Sequence, residues 1–294
     1  LSRSSLPVLL IACIVFIWGT VFISGSTFGN DFPWNQLPYK DKRKVDEFAK
    51  TYTTGNPPLA RTMSQLRDAA LWVIDGSRNE AVTWPTGTTL SVCFYSDKPA
   101  VNSKVLAIAQ QWSSYANIFF EGGDLSSPRL CKNKFAEIRV AYSFPGGNWS
   151  EVGRMNRSVP VNAPTMNLDR FDIDPPADNR FSWIVLHEFG HVLGFGHEFR
   201  NPAASCAEDF DWGELRKAFS DDIDKFKLFP NTSAFAHSAY DRLSVMRYYF
   251  EPRMFKQGRT SDCFGPEVSE LSAEDKSGAA KLYSKVSKRS LWDR

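Results

Sequence analysis

Histidine is scarce in this chain: 4 residues in 294. Cysteine is scarce too, at 5 residues, which excludes the small disulfide-dense scaffold in which cross-links replace a core. A formal net charge of +2 supplies no concentrated basic face, so nucleic acid is not an expected partner. The run KDKRK at 40–44 reads as a solvated helix start or a processing site. Internal repeats and low-complexity tracts are missing, and with 43% hydrophobic and 23% charged residues the composition is that of an ordinary globular protein.

The amino end is different material. From Leu6 to Ile23 nearly every residue is apolar, Arg3 precedes the run, and the small residues of SGSTFGN follow it. That pattern is an export signal. Residues 1–26 are therefore expected to be a signal peptide or an amino-terminal signal anchor, with the rest of the chain secreted or held outside the cytosol. Any membrane association is expected through this segment alone. Of the cysteines, Cys93, Cys131, Cys206 and Cys263 lie in the soluble part. Their even number fits two disulfides in an exported chain and leaves three pairings open. Three acceptor sequons stand at Asn148, Asn156 and Asn231.

Residues 27–80 form a lead segment, polar and turn-rich at first. Leu59, Met63, Leu66, Ala70 and Val73 then share one helical face. Near Ala81 the texture changes. TTLSVCFYS and FAEIRVAYS alternate and are rich in β-branched and aromatic residues, so both read as strands. Between them VNSKVLAIAQQWSSYANIFF has helical period, with Val105, Ile108, Ala109 and Trp112 on one side. Strand, helix, strand and then a helix across the histidines predict an α+β fold.

Three of the 4 histidines fall within HEFGHVLGFGHE, at 187, 191 and 197. If FSWIVLHEFGHVLG is a helix, His187 and His191 project from one face a turn apart and can grip one metal ion. Glu188 lies about 100° around the helix, within reach of a water on that metal without being a ligand. Gly194 permits a positive φ, so the chain can turn sharply and bring His197 back as a third ligand. Three protein ligands leave a coordination position open, as in a catalytic zinc site. By chance this spacing should arise on the order of once in 10⁵ to 10⁶ such chains. That rarity argues against a core helix with three satisfied histidines. His237, alone in AFAHSAYD, reads as structural or surface-exposed.

The extended motif resembles that of the metzincin metalloproteases, and Glu198 directly after the third histidine resembles the astacin family. YDRLSVMRYY at 240–249 is similar to the astacin Met-turn, with Met246 beneath the metal and Tyr248 two residues on. GGNWSEVGR at 146–154, TMNLD at 165–169 and LSAEDKSGAAKLY at 271–283 extend the likeness over residues 82–285. The resemblance implies a metzincin, zincin-like domain at 81–287, followed by a tail at 288–294. A twisted amino-terminal sheet with two long helices, a zinc cleft, and a mostly irregular carboxyl-terminal subdomain ending in a helix are expected. Asn148 stands where astacins usually carry a cysteine, so the four cysteines are expected to pair differently. Arg247 replaces a common histidine in the Met-turn and is expected to alter the cleft wall. The lead segment lacks a clear F-x-G-D signature, the device by which many astacin propeptides place an Asp on the metal.

The implied function is zinc-dependent hydrolysis of peptide bonds. Zinc on His187, His191 and His197 would lower the pKa of a bound water towards ~7, with Glu188 as general base. Tyr248 is implied as a resting-state zinc ligand that swings to stabilise the oxyanion. TMNLD is implied to be the cleft-edge strand that pairs with an extended polypeptide substrate. The alternatives are a catalytically silent binding or adhesion module on the same fold, and a zinc hydrolase of non-peptide bonds. Asp169, Asp172 and Asp174 could offer oxygen ligands to calcium but read better as a solvated loop. The lead segment implies a zymogen opened at Arg78.

Overall fold

The computed structural model describes residues 83–132, 135–144, 146–201, 203–219 and 238–285. The export segment, the lead segment 27–80, the tail 288–294, Asn231 and His237 lie outside the described residues.

β1 (Thr89–Phe94) and α1 (Pro99–Ser113) form where alternation and helical period place them. Pro99, with its fixed φ and missing donor, starts α1, and Val105, Ile108, Ala109 and Trp112 face inward from it. The helix is shorter than the sequence period suggests. It stops at Ser113, and Phe119 and Phe120, read from the sequence as its continuation, instead open strand β2 (Phe119–Glu121). Tertiary pairing decides this: Thr89, Leu90 and Ser91 of β1 align in parallel with Phe119, Phe120 and Glu121.

β3 (Gly123–Asp124) and β4 (Ser127–Pro128) make a small hairpin. β5 (Ile138–Ala141), β6 (Trp149–Ser150) and β7 (Met166–Asn167) complete the main sheet, whose order is β2-β1-β5-β7-β6. Its first four strands are parallel, and β6 joins antiparallel. TMNLD is consequently not an edge. Met166 and Asn167 pair with Val140 and Ala141 on one side and with Ser150 and Trp149 on the other. Among the described residues the edge strand at this end of the sheet is β6.

α2 (Asp178–Val192) packs across α1, where the indole of Trp112 donates to the Leu186 carbonyl at 3.0 Å. Phe120 meets Phe189 edge to face at 4.9 Å, which seats α2 on the sheet. The two long helices and the sheet share one core, including Leu90, Val92, Val140, Met166, Leu186 and Met246. Each such side chain contributes roughly 1.5–3 kcal/mol by leaving water. The carboxyl-terminal part holds α3 (Cys206–Asp209), α4 (Trp212–Phe219), single 3₁₀ turns and α5 (Ala273–Leu282). It has its own apolar cluster around Phe199, Phe210, Phe250 and Phe255.

Two disulfides form, Cys93–Cys131 and Cys206–Cys263, closing loops of 38 and 57 residues. Loops of this size restrict the unfolded chain by about 4 kcal/mol each. The first ties β1 to the segment after β4, and the second staples the carboxyl-terminal cluster.

Arg139 is a charged residue inside a central strand. Its guanidinium donates to the carbonyls of Ala163, Ala136, Val159 and Pro160 at 2.6 to 3.2 Å. Four acceptors make its burial tolerable and fasten the segment 136–163 to β5.

Candidate metal centre

α2 delivers two histidines from one face. Its last turn ends at Val192, and Gly194 at φ 96° takes the chain out of the helix to His197. One ligating atom from each of His187, His191 and His197 lies within 4.8 Å of the others. The Nε2 atoms of His191 and His197 are 3.1 Å apart. That is close to the ~3.4 Å between nitrogens on a tetrahedral zinc with bonds of about 2.0–2.1 Å. Among the described residues this is the one group of three His, Cys, Asp or Glu side chains so gathered, and Asp169, Asp172 and Asp174 do not converge.

The remaining ring nitrogens set the tautomers. Nδ1 of His187 lies 2.7 Å from the Val245 carbonyl, and Nδ1 of His191 lies 2.7 Å from the Phe195 carbonyl. A carbonyl can only accept, so both Nδ1 atoms carry the proton and both Nε2 lone pairs are free for a metal. Burial lowers His187 to about 3 and His191 to about 4, which keeps both rings neutral at physiological pH.

Glu188 is buried beside them, and its Oε2 has no hydrogen-bond partner. Burial pushes this carboxyl up to about 8. A cation among the histidines acts in the opposite direction and favours the carboxylate. An orphaned buried oxygen next to three converging imidazoles fits a divalent metal, and the all-imidazole donor set suits zinc.

The other sequence-predicted residues converge on the same place. The Tyr248 ring centroid is 4.4 Å from that of His197 and 5.6 Å from that of His187, and Phe199 supports it at 5.2 Å. Met246 packs under α2 so closely that a Cβ on Gly190 would stand 2.3 Å from its sulfur. Glu198 is held by hydrogen bonds of its own. Its amide donates to the Met246 carbonyl at 2.9 Å, and its Oε1 accepts from Asn201 and from the Asp241 amide at 2.8 and 2.9 Å. It therefore links the third-histidine turn to the chain around Met246.

Arg247 is almost fully buried, 2% exposed, with its guanidinium donating to the carbonyls of Arg242, Tyr248 and Pro266. It helps to line a cavity of about 160 Å³ with Trp183, Tyr249 and Val268. Trp183 was not singled out from the sequence. Its ring lies 5.7 Å from that of His187, and its indole donates to the same Val245 carbonyl that His187 uses. The available signal was its position, four residues before His187 on one helical face. β6 also lies against α2, which puts this edge strand beside the histidine helix.

Of the sequons, Asn156 is 1% exposed, so the folded chain has no room for a glycan there. Asn148 is exposed, and its Oδ1 accepts from the Asp169 amide at 2.8 Å.

A mixed sheet backed by a helix that carries two of three converging histidines is an architecture of the metzincin type. No family profile matches the chain, nor does any curated protein. Among solved structures, myroilysin is 32% identical over 70% of this chain and 97% of its own, at a TM-score of 0.60. A second myroilysin structure is 29% identical, covering 72% and 95%, at 0.51. High choriolytic enzyme 1, a hatching-enzyme zinc protease from Oryzias latipes (Medaka fish), is 18% identical over 70% and 96%, at a TM-score of 0.45. The chain belongs to the astacin family of zinc metalloproteases.

Proposed function

We propose that the chain is an exported zinc endopeptidase in which His187, His191 and His197 hold one catalytic zinc ion. The observation that carries this reading is the pairing of three converging imidazoles with the buried Glu188, whose Oε2 has no hydrogen-bond partner. Zinc held there supplies the Lewis acidity that activates water and polarises a carbonyl. Glu188 takes a proton from the attacking water as the new C–O bond forms, and returns it to the amine as the C–N bond breaks. Tyr248, beside His197, donates its phenol to the developing oxyanion and is a candidate extra zinc ligand before substrate arrives. Met246 forms the floor of the site, and Gly194 and Glu198 hold the turn that presents His197.

The substrate is a polypeptide in extended conformation. It adds to the edge strand β6, where main-chain hydrogen bonds accept many sequences and neighbouring pockets choose among them. Two disulfides and the apolar stretch Leu6–Ile23 support an oxidising, extracellular location. Among the described residues no helix is long and apolar enough to cross a membrane.

Residues 27–80 act as a pro-segment cut at Arg78. A chain starting at Asn79 is then more active than one starting at Ser26. Equal activity of an uncut longer chain, judged by intact mass, removes the zymogen reading. The central test is hydrolysis of an unbiased peptide library by the purified protein. Cleavage that stops with a chelator and returns with zinc supports the endopeptidase. Zinc binding at the triad without cleavage of any peptide favours the silent binding module instead.

A further inference from the structure

Asn167 has no exposed surface, yet its side-chain amide is fully engaged with one turn. Its Oδ1 accepts from the Phe144 amide at 2.9 Å, and its Nδ2 donates to the carbonyls of Phe144 and Gly147 at 2.8 and 2.7 Å. Its main chain meanwhile pairs with Trp149 in the sheet. Asn148 adds a further bond by accepting from the Asp169 amide at 2.8 Å. The segment 144–149 is thus fastened to 167–169 by side chains as well as by the ladder.

The fastening bears on a short strand that follows a glycine turn. β6 is 2 residues long, and the turn before it contains Gly146 and Gly147 at φ 104° and 76°. A two-residue strand after two glycines has a weak ladder and a large conformational freedom to lose. The Glu151 amide donates to the Thr165 carbonyl, so by antiparallel alternation the main chain of Ser150 points away from β7, outward from the sheet. An apolar side chain in place of Asn167 would fill the space without fixing the turn.

We propose that Asn167 is a positioning residue for substrate: it clamps the 144–148 turn so that the outward main chain of β6 is preset to pair with an extended peptide. The inference rests on the protease reading given above. Preorganisation of this kind acts on the affinity for peptides long enough to lie along β6 and not on the chemistry at the histidines.

The test compares wild type, Asn167→Ala and Asn148→Ala on two substrates: a ten-residue peptide, and a blocked dipeptide amide that spans only the scissile bond. For Asn167→Ala the expected result is a KM about tenfold higher on the long peptide, with kcat within about twofold and the short substrate unaffected. Zinc content should match wild type. Asn148→Ala, at an exposed position with one bond to lose, should show the same split at about two- to fivefold and decides the matter if Asn167→Ala does not fold. Equal losses on both substrates, or a loss that follows falling zinc content, overturn the proposal in favour of a merely structural role, as does an unchanged KM. A wild type that cleaves neither substrate overturns the protease reading itself. A wild type that cleaves both, with variants indistinguishable from it, overturns only the role of Asn167.

Discussion

The hydroxyl of Tyr283 donates to the Leu193 carbonyl at 2.6 Å, so a residue 90 positions downstream closes the end of the helix that carries His187 and His191. The same hydroxyl accepts from the Trp84 amide at 3.3 Å, and the Trp84 indole donates to the Val192 carbonyl at 2.8 Å. Carbonyls in the last turn of a helix lack partners within it, and here both ends of the described chain supply them. Tyr283→Phe keeps the ring and loses the two bonds made by the hydroxyl. The expected effect is a loss of about 1–2 kcal/mol in denaturant unfolding, with zinc content unchanged. An unaltered unfolding midpoint would show that water replaces the hydroxyl at no cost.

Gly190 is required by Met246. Alanine there improves intrinsic helix propensity by about 1 kcal/mol. Its Cβ would however stand 2.3 Å from the Met246 sulfur and 3.3 Å from a Trp112 ring carbon. Overpacking of about 1–3 kcal/mol outweighs the propensity gain, so Gly190→Ala is expected to be less stable than wild type in thermal unfolding. A more stable variant would mean that Met246 shifts freely and is not a fixed floor.

Removal of the proton carrier should separate chemistry from metal binding. Glu188→Gln is expected to keep zinc and fold while turnover falls by about 10²- to 10⁴-fold. Near-wild-type hydrolysis by that variant would sink the mechanism.

Tyr248→Phe tests the oxyanion donor. Turnover should fall roughly 10²-fold with little change in zinc content, because the ring still packs on Phe199. A fall explained wholly by lost zinc would reassign Tyr248 as a structural ligand.

Asp275 gives a pH signature. It accepts from the Ser244 hydroxyl and from the amides of Val245 and Ser272 at 2.6 to 3.0 Å, which ties the Met246 turn to α5. Burial nevertheless raises its carboxyl above the ordinary 3.8. A group with a raised folded value contributes stability below its unfolded value and loses that contribution as pH rises through the folded one. Asp275→Asn has no such titration. With zinc in fixed excess, the stability of wild type relative to the variant should therefore decline as pH rises above the ordinary carboxylate range in denaturant titrations. A relative stability that grows with pH would mean that the three hydrogen bonds outweigh burial.

The sequence by itself determined what depends on local spacing. Helical period places His187 and His191 on one face, Gly194 makes the turn to His197 possible, and alternation marks β1 and β5, because these are relations within a few residues. The resemblance in YDRLSVMRYY and Glu198 added the residues that meet the histidines from a distance. Tertiary structure alone decided the rest. Phe119 and Phe120 read as helix until β1 offers them a partner, and Met166–Asn167, an edge by resemblance, is covered by β6, since strand order is set by which chains meet. Cysteine pairing depends on proximity across 38 and 57 residues, which spacing cannot supply. Arg139, Asn167 and Tyr283 look unremarkable in a list of residues. Their importance comes from burial, which makes each donor and acceptor demand a partner, and burial exists only once the chain has folded.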